Sequence, residues 1–278
     1  MNRAIAVDWS GAKSGASSKI WLAEVRDGRL ARLESGRDRG ELIRHLIDDA
    51  AVDSDVVVGL DFGFSFPRWF AEQLGAGSIE MLWEFVAARG EEWLSNCPHP
   101  FWGRPGKGKP KLRQHFRRTE RHVSGVMGSN PKSVFQIGGG GAVGTGSIRG
   151  MPHLAKLRAA GFSIWPFHEA QMPLVIEIYP RLLTGPVNKS DFDAREAYLN
   201  QGFPEMEGSL ACKAMSSEDA FDAAVSAVAM SRHLGKSWAL QAARDATELM
   251  EGRIWWAQEI RGSAAGPPRT MNRPADCP

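Results

Sequence analysis

The sequence predicts an α/β fold: an antiparallel meander at the N-terminus, followed by strands that alternate with amphipathic helices. Three observations carry this. Lys19 to Val25 and Arg29 to Glu34 are strand-like runs that meet at Asp27-Gly28, a strong hairpin signal. Asp55 to Leu60 (DVVVGL) is a continuous β-branched run, as expected of a strand buried on both faces of a sheet. The segments on either side of it, Glu41 to Ala50 and 78–94, carry helical spacing.

The elements follow in order. Ala4 to Val7 is an apolar run that ends in Asp8 and a Ser10-Gly11 turn, and with the hairpin it makes a three-stranded meander. Leu42, Ile43, Leu46 and Ile47 share one face of the first helix. After the DVVVGL strand comes Asp61, and Pro67 suits the first turn of a helix. Ile79, Leu82, Phe85 and Val86 recur through the next. From about 96 to 146 the chain turns basic and then glycine-rich, which reads as an insertion or elaborated loop. Pro152 to Ala160 reads as helical, and Leu174 to Tyr179 (LVIEIY) as a strand with Glu177 inside it. Ser216 onward (SSEDAFDAAVSAVAMSRHL) is a clear helix, with a second expected at 238–251. The Gly-, Pro- and Ala-rich tail, 262–278, reads as disordered. The expectation is one domain over 1–261, with an elaborated helical, basic and Gly-rich insertion at about 67–165.

Composition excludes several classes. The cysteines, Cys97, Cys212 and Cys277, are odd in number and far apart, so neither a disulfide framework nor a zinc ribbon is indicated. The N-terminus MNRAIAVDWSG has no apolar h-region, and nowhere is there a run long enough to cross a membrane. A cytoplasmic setting with no membrane partner is the resulting expectation. Net charge is only +2 but unevenly spread: residues 101–150 hold ten Lys/Arg against one acid. Such asymmetry points to a polyanionic partner.

Five acids stand out. Asp8 and Asp61 fall at the C-terminal ends of strands, the edge where ligands gather in parallel α/β sheets. Glu177 lies between Ile176 and Ile178, where an ionised carboxylate is costly unless its charge is compensated, as a metal ion would do. Asp219 and Asp222 are three apart and project from one helix face, and Ala220, Ala223, Ala224 and Ala227 would let that helix lie close to a sheet. Hard cations such as Mg²⁺ or Mn²⁺ take oxygen ligands, and two of them about 4 Å apart can clamp the attacking and leaving oxygens of a phosphodiester. Taken singly each acid has a plainer reading: Asp8 and Asp61 as turn formers, Asp219 as part of a capping box with Ser216.

At this point the segments AVDWSGA, GLDFGFSFP, FQIGGGGAVGTGSIRGMPHLAKLRAAGFSIWPF, VIEIYPR and EDAFDAAVSA resemble the DUF429 family, predicted nucleases of the RNase H fold, over most of residues 4–255. The DAFDAA helix is also similar to the C-terminal acidic helix of RuvC-type Holliday-junction resolvases. The resemblance implies an RNase H-like mixed five-stranded sheet in the order β1-β2-β3-α-β4-α-β5-α. It implies Asp8 as the first-strand aspartate, Asp61 as the fourth-strand acid, Asp222 with Asp219 as the helix acid, and Glu177 as the family's own strand glutamate. RuvC-type enzymes carry Glu where this chain has Asp61.

Other features admit more than one reading. The stretch 103–122 (GRPGKGKPKLRQHFRRTERH) suits phosphate-backbone contact through Arg104, Lys107, Lys109, Lys111, Arg113, Arg117, Arg118 and Arg121, with Trp102 and Phe116 near for base stacking; it also reads as a solvated loop. Gly138 to Gly146 could cradle a phosphate or be a tight packing loop. His168, His115 and His122 lack zinc spacing, and Arg181 could pair with a carboxylate or a phosphate. The leading expectation is a nuclease with two Mg²⁺ or Mn²⁺ ions on Asp8, Asp61, Glu177, Asp219 and Asp222. A nucleic-acid partner follows, and junction cutting would favour a homodimer. The alternatives are an ATP-binding phosphotransferase of the actin/Hsp70/sugar-kinase class, for which Asp8-Trp9-Ser10-Gly11 and Asp61-Phe62-Gly63 would be phosphate loops, and a non-catalytic nucleic-acid-binding module.

Overall fold

The computed structural model describes residues 3–112, 114–206, 208–234 and 240–256. The tail expected to be disordered and Arg113 both lie outside them. The meander forms as expected: β1 (Arg3–Asp8), β2 (Trp21–Arg26) and β3 (Arg29–Ser35) pair antiparallel. Asp27 and Gly28 both take positive φ, 49° and 79°, the conformation that a two-residue type I′ turn demands. Asp38 caps α1 (Arg39–Val52) in a reciprocal capping box with Glu41. β4 (Val56–Leu60) then pairs parallel with β1, Val7 opposite Leu60.

The insertion is built rather than loose. It carries α2 (Arg68–Leu74), α3 (Ile79–Asn96), α4 (Arg118–Val123) and α5 (Val143–Ala159), then β5 (Ser163–Ile164). The helix expected at Pro152 begins nine residues earlier, at Val143, and runs through Pro152. Phe66, Phe70, Trp93, Phe101 and Phe135 form a buried aromatic knot in this region, with ring centroids 5.0–6.1 Å apart. Offset and edge-on aromatic pairs of this kind add to burial.

β6 (Leu174–Ile178) pairs parallel with β4, placing Glu177 opposite Leu60. There follow α6 (Pro180–Thr184), α7 (Phe192–Gly202), α8 (Gly208–Met215), α9 (Glu218–Leu234), α10 (Ala246–Glu251) and β7 (Ile254–Trp255). The second late helix is shorter than the expected 238–251: residues 240–245 are not helical, and 238–239 lie outside the described residues. Among the described residues the sheet has seven strands rather than five, in the order β3-β2-β1-β4-β6-β5 with β7 beside β6. Its two additional strands, β5 and β7, are two residues each. The result is an α/β fold with a mixed, mostly parallel sheet flanked by helices, compatible with an RNase H-like arrangement.

The sheet separates two cores. Ile5, Val7, Val58, Leu60 and Val175 point to the face covered by α1 and the insertion. Ala4, Ala6, Val57, Ile176 and Ile178 point to the face covered by α9. Small residues let α9 come close: a Cβ on Gly59 would lie 2.6 Å from Met230 Sδ. Cys97 is buried and free, whereas Cys212 is disulfide-bonded, which the wide cysteine spacing did not foretell. Among the described residues no helix is long and apolar enough to cross a membrane.

Candidate functional site

Asp8 ends β1, and Asp61 follows β4 with its amide donating to Val7 O at 3.1 Å, so the two acids leave adjacent strands side by side. Strand alternation gives both the parity of Ala4, Ala6 and Val57, toward α9. Asp219 and Asp222 lie in the first two turns of α9. That helix is capped by Ser217, whose hydroxyl accepts from Ala220 N at 3.1 Å. The Ser216–Asp219 capping box is therefore corrected: Ser216 instead donates to Lys213 O, and Asp219 is left to face its neighbours.

The four acids feel one another. Burial, and then the charges of Asp61, Asp222 and Asp219, hold the Asp8 carboxyl well above the usual range. Burial and the charge of Asp222 push Asp61 up to about 8, although the Lys189 ammonium pulls the other way. Burial lifts Asp222 to about 6 against the same lysine, and burial and Glu218 lift Asp219. Burial and crowding both favour the protonated form of these carboxyls, and a bound cation would offset both.

Part of that charge comes from a residue the sequence reading missed. Lys189 Nζ donates to Asp222 Oδ2, while Asp222 Oδ1 is buried with no hydrogen-bond partner. The loop is positioned from both sides. Arg195, buried in α7, donates to Met215 O at 2.7 and 3.0 Å and also to Lys189 O; Ser190 Oγ donates to Glu218 Oε1 at 2.8 Å. A lysine in an irregular loop carries no periodicity, so only the fold reveals it.

Glu177 also raises the Asp61 carboxyl, but it does not share the face of the sheet that the four acids occupy. It pairs with Leu60, not with Asp61, and so points through the opposite face of the sheet. There Arg117 Nη1 donates to Oε2 at 2.8 Å, Arg117 Nη2 donates to Oε1 at 2.5 Å, and Phe64 N donates to Oε2 at 3.0 Å. Arg117 also holds Glu120 Oε1 at 2.5–2.7 Å. The compensating charge expected for Glu177 is thus a guanidinium rather than a metal. Although burial opposes its charge, Arg117 is held firmly cationic by Glu120 and Glu177. The expectation that Arg117 contacts a phosphate backbone is corrected accordingly: at 1% exposure it is sealed inside the protein.

The rest of the basic stretch divides. Arg104, Lys107, Lys109, Lys111 and Arg121 are exposed, and Arg118 is engaged with Asp245 at 2.7 Å. Trp102 is not free to stack on a base, being 7% exposed beneath the Lys109 ammonium and against His115. Arg104 and Lys107 join Lys13 and Arg149 around a polar hollow of about 460 Å³. Arg149 donates to Gly11 O, which links this hollow to the loop after Asp8.

The glycine run is a packing device. Gly103 and Gly138 stack backbone to backbone, and a Cβ on Gly144 would meet Val134 O at 2.2 Å. His168 bridges Ile164 O and Glu80, and Arg181 closes the loop at Gly185 O and Val187 O. A cavity of about 310 Å³ lies along the C-terminal edge of the strands, with Asp61, Glu177, Trp9 and Glu120 in its walls.

As donors for a hard cation, Asp8, Asp61, Asp219 and Asp222 are chemically suitable: they offer oxygens only, including the unpartnered Asp222 Oδ1. They are gathered but not closed, since among the described residues no group of three or more His, Cys, Asp or Glu side chains is placed to hold a metal ion. In comparisons with protein-family models, curated proteins and solved structures, nothing matches this chain.

Proposed function

We propose that this chain is a metal-dependent nuclease of the RNase H-like class, related to the DUF429 family and hydrolysing phosphodiesters of nucleic acid. One observation carries the reading: four mutually repelling carboxylates, from two adjacent strand ends and one helix, share one face of the sheet and are incompletely neutralised. Mg²⁺ or Mn²⁺, two ions in the full reading, would supply a polarised phosphate oxygen and an activated water. Asp8, Asp61, Asp219 and Asp222 would hold them. Glu177 falls outside the ligand set. Lys189 pairs with Asp222, and a cation bound at the acids would compete with it. Exposed Arg104 and Lys107, near the loop after Asp8, steer the polyanion toward the acids.

The test is Mn²⁺-dependent cleavage of a panel of branched, single-stranded and RNA/DNA hybrid substrates. Products that vanish in Asp8→Asn are expected. A salt-sensitive shift without products would make the chain a binding module, and ATP hydrolysis would make it a phosphotransferase; either outcome overturns the proposal.

A further inference from the structure

The polar hollow of about 460 Å³ carries a positive charge that its own lining does not balance. Four cations line it, Lys13, Arg104, Lys107 and Arg149, and among the described residues its one acid is Glu91. That acid is already paired. Arg149 Nε and Nη2 hold its two oxygens at 2.7 and 2.9 Å in a bidentate fork. Lys13, Arg104 and Lys107 are exposed, and among the described residues none of the three side chains has an ion-pair or hydrogen-bond partner.

These three cations stand on backbone that is fixed. Arg104 and Lys107 are the first and fourth residues of a tight turn, in which Lys107 N donates to Arg104 O at 2.9 Å. Pro105 and Gly106 fill its centre, Gly106 at φ 70°, as a type II turn prefers. Gly103 N closes the base of the turn on Lys107 O at 2.9 Å, and Gly103 itself packs on the Gly138 backbone. Such a turn keeps the Arg104 and Lys107 Cα atoms within about 7 Å of each other. Lys13 comes from the loop after Asp8. Arg39 Nη1 donates to Ser10 O and Ala12 O in that loop at 2.9 Å each, and Arg149 donates to Gly11 O. Burial, and then the charge of Arg149, lower Arg39 from its ordinary value, so cations are crowded on this side of the loop as well.

The chemistry of the missing partner follows from the charge. An internal phosphodiester brings one negative charge, whereas a phosphomonoester brings nearly two and three strong acceptor oxygens. Three unpaired cations around one hollow suit the monoester. We propose that the hollow seats the terminal phosphate of a nucleic-acid strand, with Lys13, Arg104 and Lys107 pairing its oxygens. The strand, though not the phosphate seat, rests on the nuclease reading above. Lys13 is five residues beyond Asp8, at most about 18 Å along the chain. An end held in the hollow therefore keeps the bonds near it within reach of the acids. Steering by surface charge treats every part of a strand alike; a seat adds a preference for its end.

The experiment is anisotropy titration of the full chain, without divalent metal, against one short internally labelled single strand in three forms: hydroxyl at both ends, phosphate at the 5′ end, and phosphate at the 3′ end. Wild type is expected to bind a phosphorylated form at least about tenfold more tightly than the hydroxyl form, the gain that one charge-assisted hydrogen bond supplies. Lys13→Gln combined with Lys107→Gln, both at exposed positions, is expected to erase that difference. Lys111→Gln, exposed in the same basic stretch but outside the hollow, weakens all three forms alike. A nucleoside monophosphate is expected to bind more weakly than the phosphorylated strand. Equal affinity for the three forms, a difference that survives the double variant, its loss in Lys111→Gln, or a mononucleotide that binds as tightly as the strand would each overturn the proposal. Cleavage in Mn²⁺ by a protein that shows no end preference would remove the seat and keep the nuclease. End preference in a protein that cuts nothing would keep the seat and remove the nuclease.

Discussion

If the acids form a cation site, neutralising one of them should strengthen the metal-free protein. Asp61→Asn is the cleanest perturbation, because the side chain keeps its shape and loses only its charge. Asp61 is held at about 8 against an ordinary 3.8. A carboxyl raised by folding contributes stability that is complete below its unfolded value and lost as pH rises through its folded value. At 1.36 kcal/mol per pH unit, ionisation of Asp61 removes about 2 kcal/mol by pH 5 and about 5 kcal/mol by pH 8. Asp222, raised to about 6, adds to the loss in the same direction.

Wild type in EDTA should therefore lose about 4 kcal/mol between pH 5 and pH 8 that Asp61→Asn does not lose, on the order of 10 °C in melting temperature for a chain this size. Saturating Mn²⁺ should narrow the gap: at a hundredfold excess over Kd it returns about 2.7 kcal/mol to wild type and much less to the variant. The assay is thermal unfolding of both proteins at pH 5, 6, 7 and 8, in EDTA and in Mn²⁺. Parallel curves for the two proteins in EDTA would show that no repulsion is stored at Asp61, and the argument for a cation site would fall.

Lys189→Met leaves Asp222 without its ammonium, so the metal-free protein should lose about 3–5 kcal/mol, as when one partner of a buried pair is removed, while Mn²⁺ binding followed by calorimetry should tighten. Arg117→Met leaves Glu177 and Glu120 buried and unpaired; chemical denaturation should show a loss of about 3–5 kcal/mol at neutral pH, recovered in part by the double variant with Glu177→Gln. Neutralising Arg104 and Lys107 together should weaken oligonucleotide binding about equally for all sequences and flatten the log–log salt dependence by about 1–2, whereas Arg117→Lys should leave that slope unchanged. Gly150→Ala presses a methyl to within 2.5 Å of the Phe62 ring beside Asp61, and should cost about 1–3 kcal/mol in denaturant melts together with part of the Mn²⁺ affinity.

Much of the fold was legible because local signals agreed with global ones. Asp27-Gly28 fixes the hairpin, DVVVGL fixes a doubly buried strand, and the alanines of DAFDAAVSA fix a helix that lies close on the sheet. Boundaries were less legible. The helix of Val143 to Ala159 shows no sequence signal before Pro152 because its first turns, Val-Gly-Thr-Gly-Ser, are poor helix formers held in place by Gln136 O and by packing on α3. The seventh strand, Ile254–Trp255, is too short to carry any period, and it exists only because Glu177 and Ile178 offer it an edge.

Glu177 is more instructive. An acid inside an apolar strand signals compensation, and that inference was sound, but sequence alone does not name the compensator. The register does. Asp8 and Asp61 lie one step beyond the Val7–Leu60 pair, and Glu177 lies level with that pair, so alternation sends Glu177 through the other side of the sheet. A single residue of offset thus sends Asp8 and Asp61 toward the acids of α9 and leaves Glu177 tied to Arg117. That division is itself useful to a phosphodiester site. Arg117 fixes Glu177, Glu177 accepts from Phe64 N, and Ser147 accepts from Gly63 N at 2.9 Å, so the loop that follows Asp61 is held from the opposite face of the sheet. The buried ion triad on one face lets the acids on the other remain crowded, and that crowding is what the proposed chemistry needs.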